Sequence, residues 1–211
     1  MAGTQVRRLV VSVSGLLAGG CLVGAAGWAM LSGFQQVPAA EPGPHPGDPQ
    51  LARAIATRAP VAEPDQLPFD ALTIPALKIR ATMVEVTITD HNFPVPADPA
   101  TVGISSTGAA LCAARGTTLV AGHVFNRGVQ GALWPLAAVK KGAKLHVHCP
   151  DGSLATYRAT GTPTTPEKQD LDPGLDTTGG PHRLIVITCG GPVMANGHYR
   201  DNVVAEFTRV L

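Results

Sequence analysis

From residue 72 onward, apolar residues gather in short runs broken by glycine, proline and polar turn residues, and no stretch keeps a helical period over several turns. That pattern predicts strands, not helices. The run at 72–75 ends on Pro75, which marks a strand edge or bulge. Residues 79–88 alternate loosely and carry many β-branched side chains, predicting paired strands, and the proline-rich run 95–99 interrupts the order. Further strands are predicted at 117–121, 144–149, 154–160, 184–188 and 202–207, with one helical turn at 133–139. Roughly eight short strands without a long amphipathic helix imply an all-β domain, an antiparallel barrel or sandwich. Two connections are long, 163–183 and 190–199. The first exceeds the ~12–15 residues beyond which a loop in a compact domain is functional or disordered. The second is rich in glycine and small residues.

The N-terminal part reads differently. No charged residue occurs in 9–32, and Arg7 and Arg8 stand immediately before it. At ~1.5 Å per residue a helical run of this length crosses a hydrocarbon core of about 30 Å. Residues 9–32 are therefore predicted to be a transmembrane signal anchor, with 1–8 cytoplasmic and the remainder extracytoplasmic on a single-pass chain in the cell membrane. A cleaved signal peptide is the competing reading, because small residues at Gly24, Ala25 and Ala26 and at Pro38, Ala39 and Ala40 offer cleavage sites. The apolar run is longer than the ~7–15 residues of a signal core, which favours the anchor. Cys21 lies within the run and is read as a membrane-buried thiol. Residues 33–66 carry frequent prolines, which block both helix and ladder, so they predict a semi-extended linker. Within it, 51–58 forms either two helical turns or a disordered basic patch. The folded domain is then 67–211. A formal net charge of +1 and the lack of any basic stripe exclude a nucleic-acid partner.

Three polar residues stand at the edges of apolar runs. Leu184-Ile-Val-Ile-Thr188-Cys189 is followed by Gly190, Gly191 and Pro192, so a thiol ends a buried strand with pliable backbone just beyond it. An extended substrate can approach a group held in that way. His123 follows the run 118–122, and Arg200 opens the last strand. Amide exchange needs a nucleophile, a proton carrier for the leaving amine and a stabiliser for the oxyanion, and these residues supply one each. The guanidinium of Arg200 stays charged at any working pH. Each residue also has a bland alternative: Cys189 as a small buried hydrophobe, His123 as a hydrogen-bonded strand-end histidine, and Arg200 as a surface ion pair with Asp201. His182 and His198 lie close in sequence and stand outside the proposed triad.

The strand end Ile187-Thr188-Cys189-Gly190-Gly191-Pro192, the run Leu119-Val-Ala-Gly-His123 and the stretch Gly197-His-Tyr-Arg200-Asp-Asn-Val-Val204 together resemble the sortases, the cysteine transpeptidases of Gram-positive cell surfaces. Within the class E and class F groups they are most similar to the class F pattern. Val193 stands where these enzymes often carry Phe, and Phe125 where a small polar residue is common. The resemblance implies an eight-stranded sortase-like β-barrel in which the connection 163–183 roofs a peptide groove. It implies Cys189, His123 and Arg200 as catalytic residues, with the Thr188 hydroxyl near the oxyanion. The implied activity is cleavage of an LPxTG-like C-terminal sorting signal between Thr and Gly through a thioacyl enzyme. The acyl group then passes to the amine of a lipid II-like cell-wall precursor, without a cofactor and on a monomeric enzyme. Two other functions compete: a thiol peptidase that resolves the intermediate with water, and a catalytically idle surface-binding β-domain on a stalk.

Cys112 and Cys149 remain. Outside the cell a spare pair can close into a disulfide, and these two are its predicted partners. His146 and His148 share one face of a strand and could ligate zinc, but no carboxylate or CxxC accompanies them. The preferred reading is an exposed strand face and no metal.

Overall fold

The computed structural model describes residues 43–210 apart from 62, 91, 171–174 and 176. The expected anchor at 9–32, the cytoplasmic 1–8 and the start of the linker lie outside the described residues. Among those described, no helix is long and apolar enough to cross a membrane.

Among the described residues ten strands form: β1 (Ala71–Ile74), β2 (Ile79–Val86), β3 (Thr101–Ser105), β4 (Thr117–Gly122), β5 (Phe125–Asn126), β6 (Val129–Gln130), β7 (Lys144–His148), β8 (Leu154–Ala159), β9 (Arg183–Val193) and β10 (Tyr199–Arg209). Eight of them close a barrel in the order β1-β2-β3-β4-β9-β10-β8-β7, and β5 and β6 make a separate two-stranded hairpin. The barrel is mixed where the strand pattern suggested an antiparallel one, because β2 pairs with β3 and β4 pairs with β9 in parallel. Parallel neighbours need crossover connections. Residues 87–100 provide the first, and everything between β4 and β9 provides the second.

Inward-facing residues fill the barrel. Leu72, Ile74, Ile79, Leu145, Val147, Tyr157, Leu184, Val186 and Phe207 are all fully buried, each full burial stabilising the fold by about 1.5–3 kcal/mol. Residues 79–88, expected to be paired strands, form the single strand β2, since no turn residue divides them. β2 reverses from β1 through a short 3-10 turn, Pro75–Leu77, closed by Lys78 in the left-handed region at φ 52°. β3 was not foreseen. Its Gly103 admits Phe93 so closely that an added Cβ would lie 2.8 Å from the ring, a reason for glycine inside a strand. The connection 190–199 is half ladder, with β9 running to Val193 and β10 starting at Tyr199. The remaining turn is closed by bonds from Met194 N–H to His198 O and from Gly197 N–H to Met194 O.

Within the expected linker, of the two readings open for 51–58 the helical one holds, as helix α1 (Pro49–Thr57). Asp48 caps it by accepting from Gln50 N–H at 2.8 Å, and Pro49 opens the first turn. Leu51, 1% exposed, belongs to the barrel core, and Lys78 Nζ donates to the Ala56 and Arg58 carbonyls at the C-terminal end of the helix. Packed structure therefore begins upstream of residue 67, the expected domain boundary.

Cys112 and Cys149 are joined by a disulfide with Cα atoms 5.6 Å apart. His146 and His148 are not an exposed face. His146 is buried beside the Thr156 hydroxyl, at 3.0 Å, and the ring nitrogens of half-buried His148 contact the Gly152 and Leu67 carbonyls at 3.1 and 2.9 Å.

Candidate active site

Strands present alternate residues to opposite faces. On β4 and β9, Val120, Leu184 and Val186 point into the barrel, whereas Leu119, Ala121, Ile185 and Ile187 make a second apolar cluster on the outer face. The parallel register aligns Leu119 with Ile185 and Ala121 with Ile187. The register ends at that second pair; His123 comes two residues after Ala121, just past the end of β4, and Cys189 two residues after Ile187 within β9. Cys189 is a free, half-buried thiol, and His123 is half-buried.

Thr188 and Gly122 immediately precede this pair. The Thr188 hydroxyl, 3% exposed, donates to the Gly122 carbonyl at 2.8 Å. It thus ties β9 to β4 one residue before each candidate catalytic side chain. The sequence reading gave this hydroxyl an oxyanion role. A hydroxyl has one proton to donate, and in this structure it goes to Gly122, which links the strand ends.

On the other side of β9, Cys189 pairs across the ladder with Asn202, and Gly190 with Asp201. Between the Gly190–Asp201 and Val193–Tyr199 pairs, β9 has two residues where β10 has one, Arg200. This is a bulge, and Gly191 meets its geometry with φ 72°. Arg200 folds its fork onto its neighbour: Nε donates to Asp201 Oδ1 at 2.6 Å and one terminal nitrogen donates to Oδ2 at 3.1 Å, with Glu167 Oε1 3.6 Å from Nε. The carboxylate of Asp201, a buried residue, pushes the Arg200 guanidinium above its ordinary value, chiefly by these hydrogen bonds and then by its charge. Two of the five guanidinium donors are thereby engaged and three remain available.

Two segments frame the outer face. The connection 163–183 is stitched to β10, with Thr164 exchanging backbone bonds with Val204 and Asn202 N–H donating to Pro166 O at 2.9 Å. Further along it, Leu175 packs on the outer cluster, together with Ile88 and Phe93 from the β2–β3 crossover. On the opposite side, Gly43 N–H donates to Gly191 O at 2.8 Å, and Gly43 and Pro44 are buried.

A sortase domain matches residues 72–210. The chain belongs to the sortase family. Among solved structures it is similar to sortase C1 from Streptococcus suis, at 15% identity with 68% of this chain and 73% of that one covered and a TM-score of 0.50. Sortase A from Listeria monocytogenes gives 19%, 68%, 87% and 0.50, and sortase A from Corynebacterium diphtheriae gives 16%, 67%, 60% and 0.50. At such identities the likeness carries the barrel fold. No curated protein matches the chain.

Three participants escaped sequence reasoning as parts of a sortase site. Asp201 was visible only as a neighbour of Arg200, and its burial follows from facing the Thr188 and Val203 side of the β9–β10 ladder. Asn202 becomes the cross-strand partner of Cys189 only through the register. The Gly122 carbonyl carries no sequence signal at all, because any residue has one.

Proposed function

We propose that this sortase is a membrane-anchored class F-like cysteine transpeptidase. It cuts an LPxTG-like sorting signal between Thr and Gly and transfers the protein to a lipid II-like cell-wall amine. What supports the reading is the free thiol of Cys189 on β9, two residues beyond the Ala121–Ile187 pair, with His123 two residues beyond the same pair on the segment leaving β4 and the Thr188–Gly122 bond just before both. The class F part rests on the residues around Cys189 and Arg200, and the membrane part on the uncharged run 9–32.

The chemistry follows from the groups present. The Cys189 thiolate attacks the carbonyl carbon of the sorting-signal threonine, forming a C–S bond and a tetrahedral oxyanion. His123 in its protonated form gives a proton to the glycine nitrogen as the C–N bond breaks, which leaves a thioester. An incoming amine then attacks that carbonyl and yields its proton to His123, and the C–S bond breaks to return the thiolate. Arg200, steadied by Asp201, has three guanidinium N–H groups left to bind the oxyanion or the peptide backbone.

The test is the full-length chain in detergent with a fluorogenic LPxTG peptide, with and without triglycine. The expected result is cleavage, a peptide adduct on Cys189 seen by mass spectrometry, and conversion of the hydrolysis product into a triglycine conjugate. Both Cys189→Ala and His123→Ala are expected to abolish it. Cleavage with no conjugate at any amine concentration makes the chain a peptidase, and neither cleavage nor adduct removes the catalytic reading.

A further inference from the structure

A cavity of about 520 Å³ lies between α1 and the hairpin that follows His123. Its apolar wall is Pro44, Ala54, Phe125 and Trp134, the two rings meeting edge to face with centroids 6.5 Å apart; its polar residues include Arg53, Gln130 and Asp48, whose carboxylate accepts from Gln50 N–H at 2.8 Å. Arg53 is exposed and makes no side-chain hydrogen bond or ion pair among the described residues. The cavity is tied to both sides of the candidate catalytic pair. Phe125 and Gln130 pair with each other in β5 and β6, two residues after His123. Pro44 continues the segment whose Gly43 bonds to Gly191, and its carbonyl lies against Gly190, the residue after Cys189.

Position decides which part of the substrate such a cavity meets. A scissile amide has its acyl side and its amine side on opposite sides of the attacking sulfur. The apolar row of Leu119, Ala121, Ile185 and Ile187 leads along β4 and β9 towards Cys189 and is buried, with Ile88, Phe93 and Leu175 packed on it; in the transpeptidase reading the acyl segment lies along this covered side. The amine side then passes beyond the strand ends, where the β5–β6 hairpin, Pro44 and α1 stand. On that basis we infer that the α1 cavity is the acceptor site: it binds a short peptidyl amine bearing a free carboxylate, with Arg53 taking the carboxylate and Phe125 and Trp134 taking the chain between the charges. This rests on the transpeptidase reading above and adds a place and a charge preference for the incoming amine.

Trp134 makes occupancy measurable without turnover. The chain has two tryptophans, so full-length Trp28→Phe protein in detergent reports Trp134 alone. Triglycine is expected to change its fluorescence saturably and triglycinamide to need about three- to fivefold more, the worth of one exposed ion pair. Arg53→Gln should erase that difference. Ala54→Phe, which fills the cavity from a half-buried helix position, should raise the triglycine KM about tenfold or more while moving the sorting-peptide KM by less than about twofold. Equal responses to the two probes, unchanged acceptor kinetics in Ala54→Phe, or a matching rise in the sorting-peptide KM would overturn the assignment. If no acyl enzyme forms, the transpeptidase reading fails by itself, and the Trp134 titration still decides the cavity.

Discussion

Replacing Thr188 by Val keeps the shape of the side chain and removes only the hydroxyl that donates to Gly122 O at 2.8 Å. Thr188 is 3% exposed, so water does not readily replace the lost donor. The net worth of such a bond is about 0.5–1.5 kcal/mol, rising towards ~3 kcal/mol if the carbonyl is left without another partner. Urea unfolding of Thr188→Val is therefore expected to show a loss of about 1–2 kcal/mol with an unchanged m-value. The same bond aligns the backbone preceding His123 with that preceding Cys189. Small misplacements of reacting groups cost up to about 10²-fold, so turnover of a sorting peptide is expected to fall about tenfold. Thr188→Ser keeps the hydroxyl and gives up one buried methyl, worth ~0.8 kcal/mol; it should keep near wild-type turnover. The reasoning is refuted if Thr188→Val unfolds at the wild-type midpoint yet loses 10²- to 10³-fold in kcat, the order seen on removing an oxyanion donor. That outcome would assign the hydroxyl to the reaction and not to the strands.

Arg200→Lys keeps the charge but loses the fork that grips Asp201, and kcat should drop on the order of 10²- to 10³-fold with peptide binding retained; wild-type turnover in the Lys variant would mean that charge alone suffices. Leu51→Ala should cost about 2–4 kcal/mol by chemical denaturation, and a chain beginning at residue 65, which lacks α1, should be less stable still. An unchanged midpoint for Leu51→Ala would mean that α1 does not dock in solution. Removing the disulfide by a Cys112→Ser, Cys149→Ser double change should cost about 4 kcal/mol in the chain-entropy model for a sequence separation of 37, with Cys189 still labelled by iodoacetamide; equal stability of the two forms would contradict it. Burial holds the imidazoles of His146 and His182 below the ordinary value of 6.5. The unfolded chain then binds more protons than the folded one, so stability is full above that value and declines as pH falls through it. Thermal melts from pH 7.5 to 5 should show the decline, and a His146→Gln, His182→Gln double variant should flatten it; an identical slope in that variant would remove these residues as its source.

The strands at 117–121, 144–149, 154–160, 184–188 and 202–207 were legible because one-dimensional signals suffice for them. Each is an apolar run bounded by turn residues, and the run ending in Cys189 marks its own end with two glycines. Chemistry-bearing residues could be picked out in the same way, since a thiol, an imidazole and a guanidinium at the edges of such runs need no neighbours to be noticed. Partners could not. Which strand lies beside which depends on long-range pairing, and only the parallel register of β4 with β9 brings the strand that leads to His123 beside the strand that carries Cys189. β3 stayed hidden because its Gly103 lowers strand propensity for the sake of a contact with Phe93, which arrives from another segment. For 51–58 the local sequence left two helical turns and a disordered basic patch open, and burial of Leu51 in the barrel core decides for the helix. The partner of the Thr188 hydroxyl, the Gly122 carbonyl, was legible only in the fold. A hydrogen bond between strands far apart in sequence is a property of the closed barrel, so no local pattern could announce it.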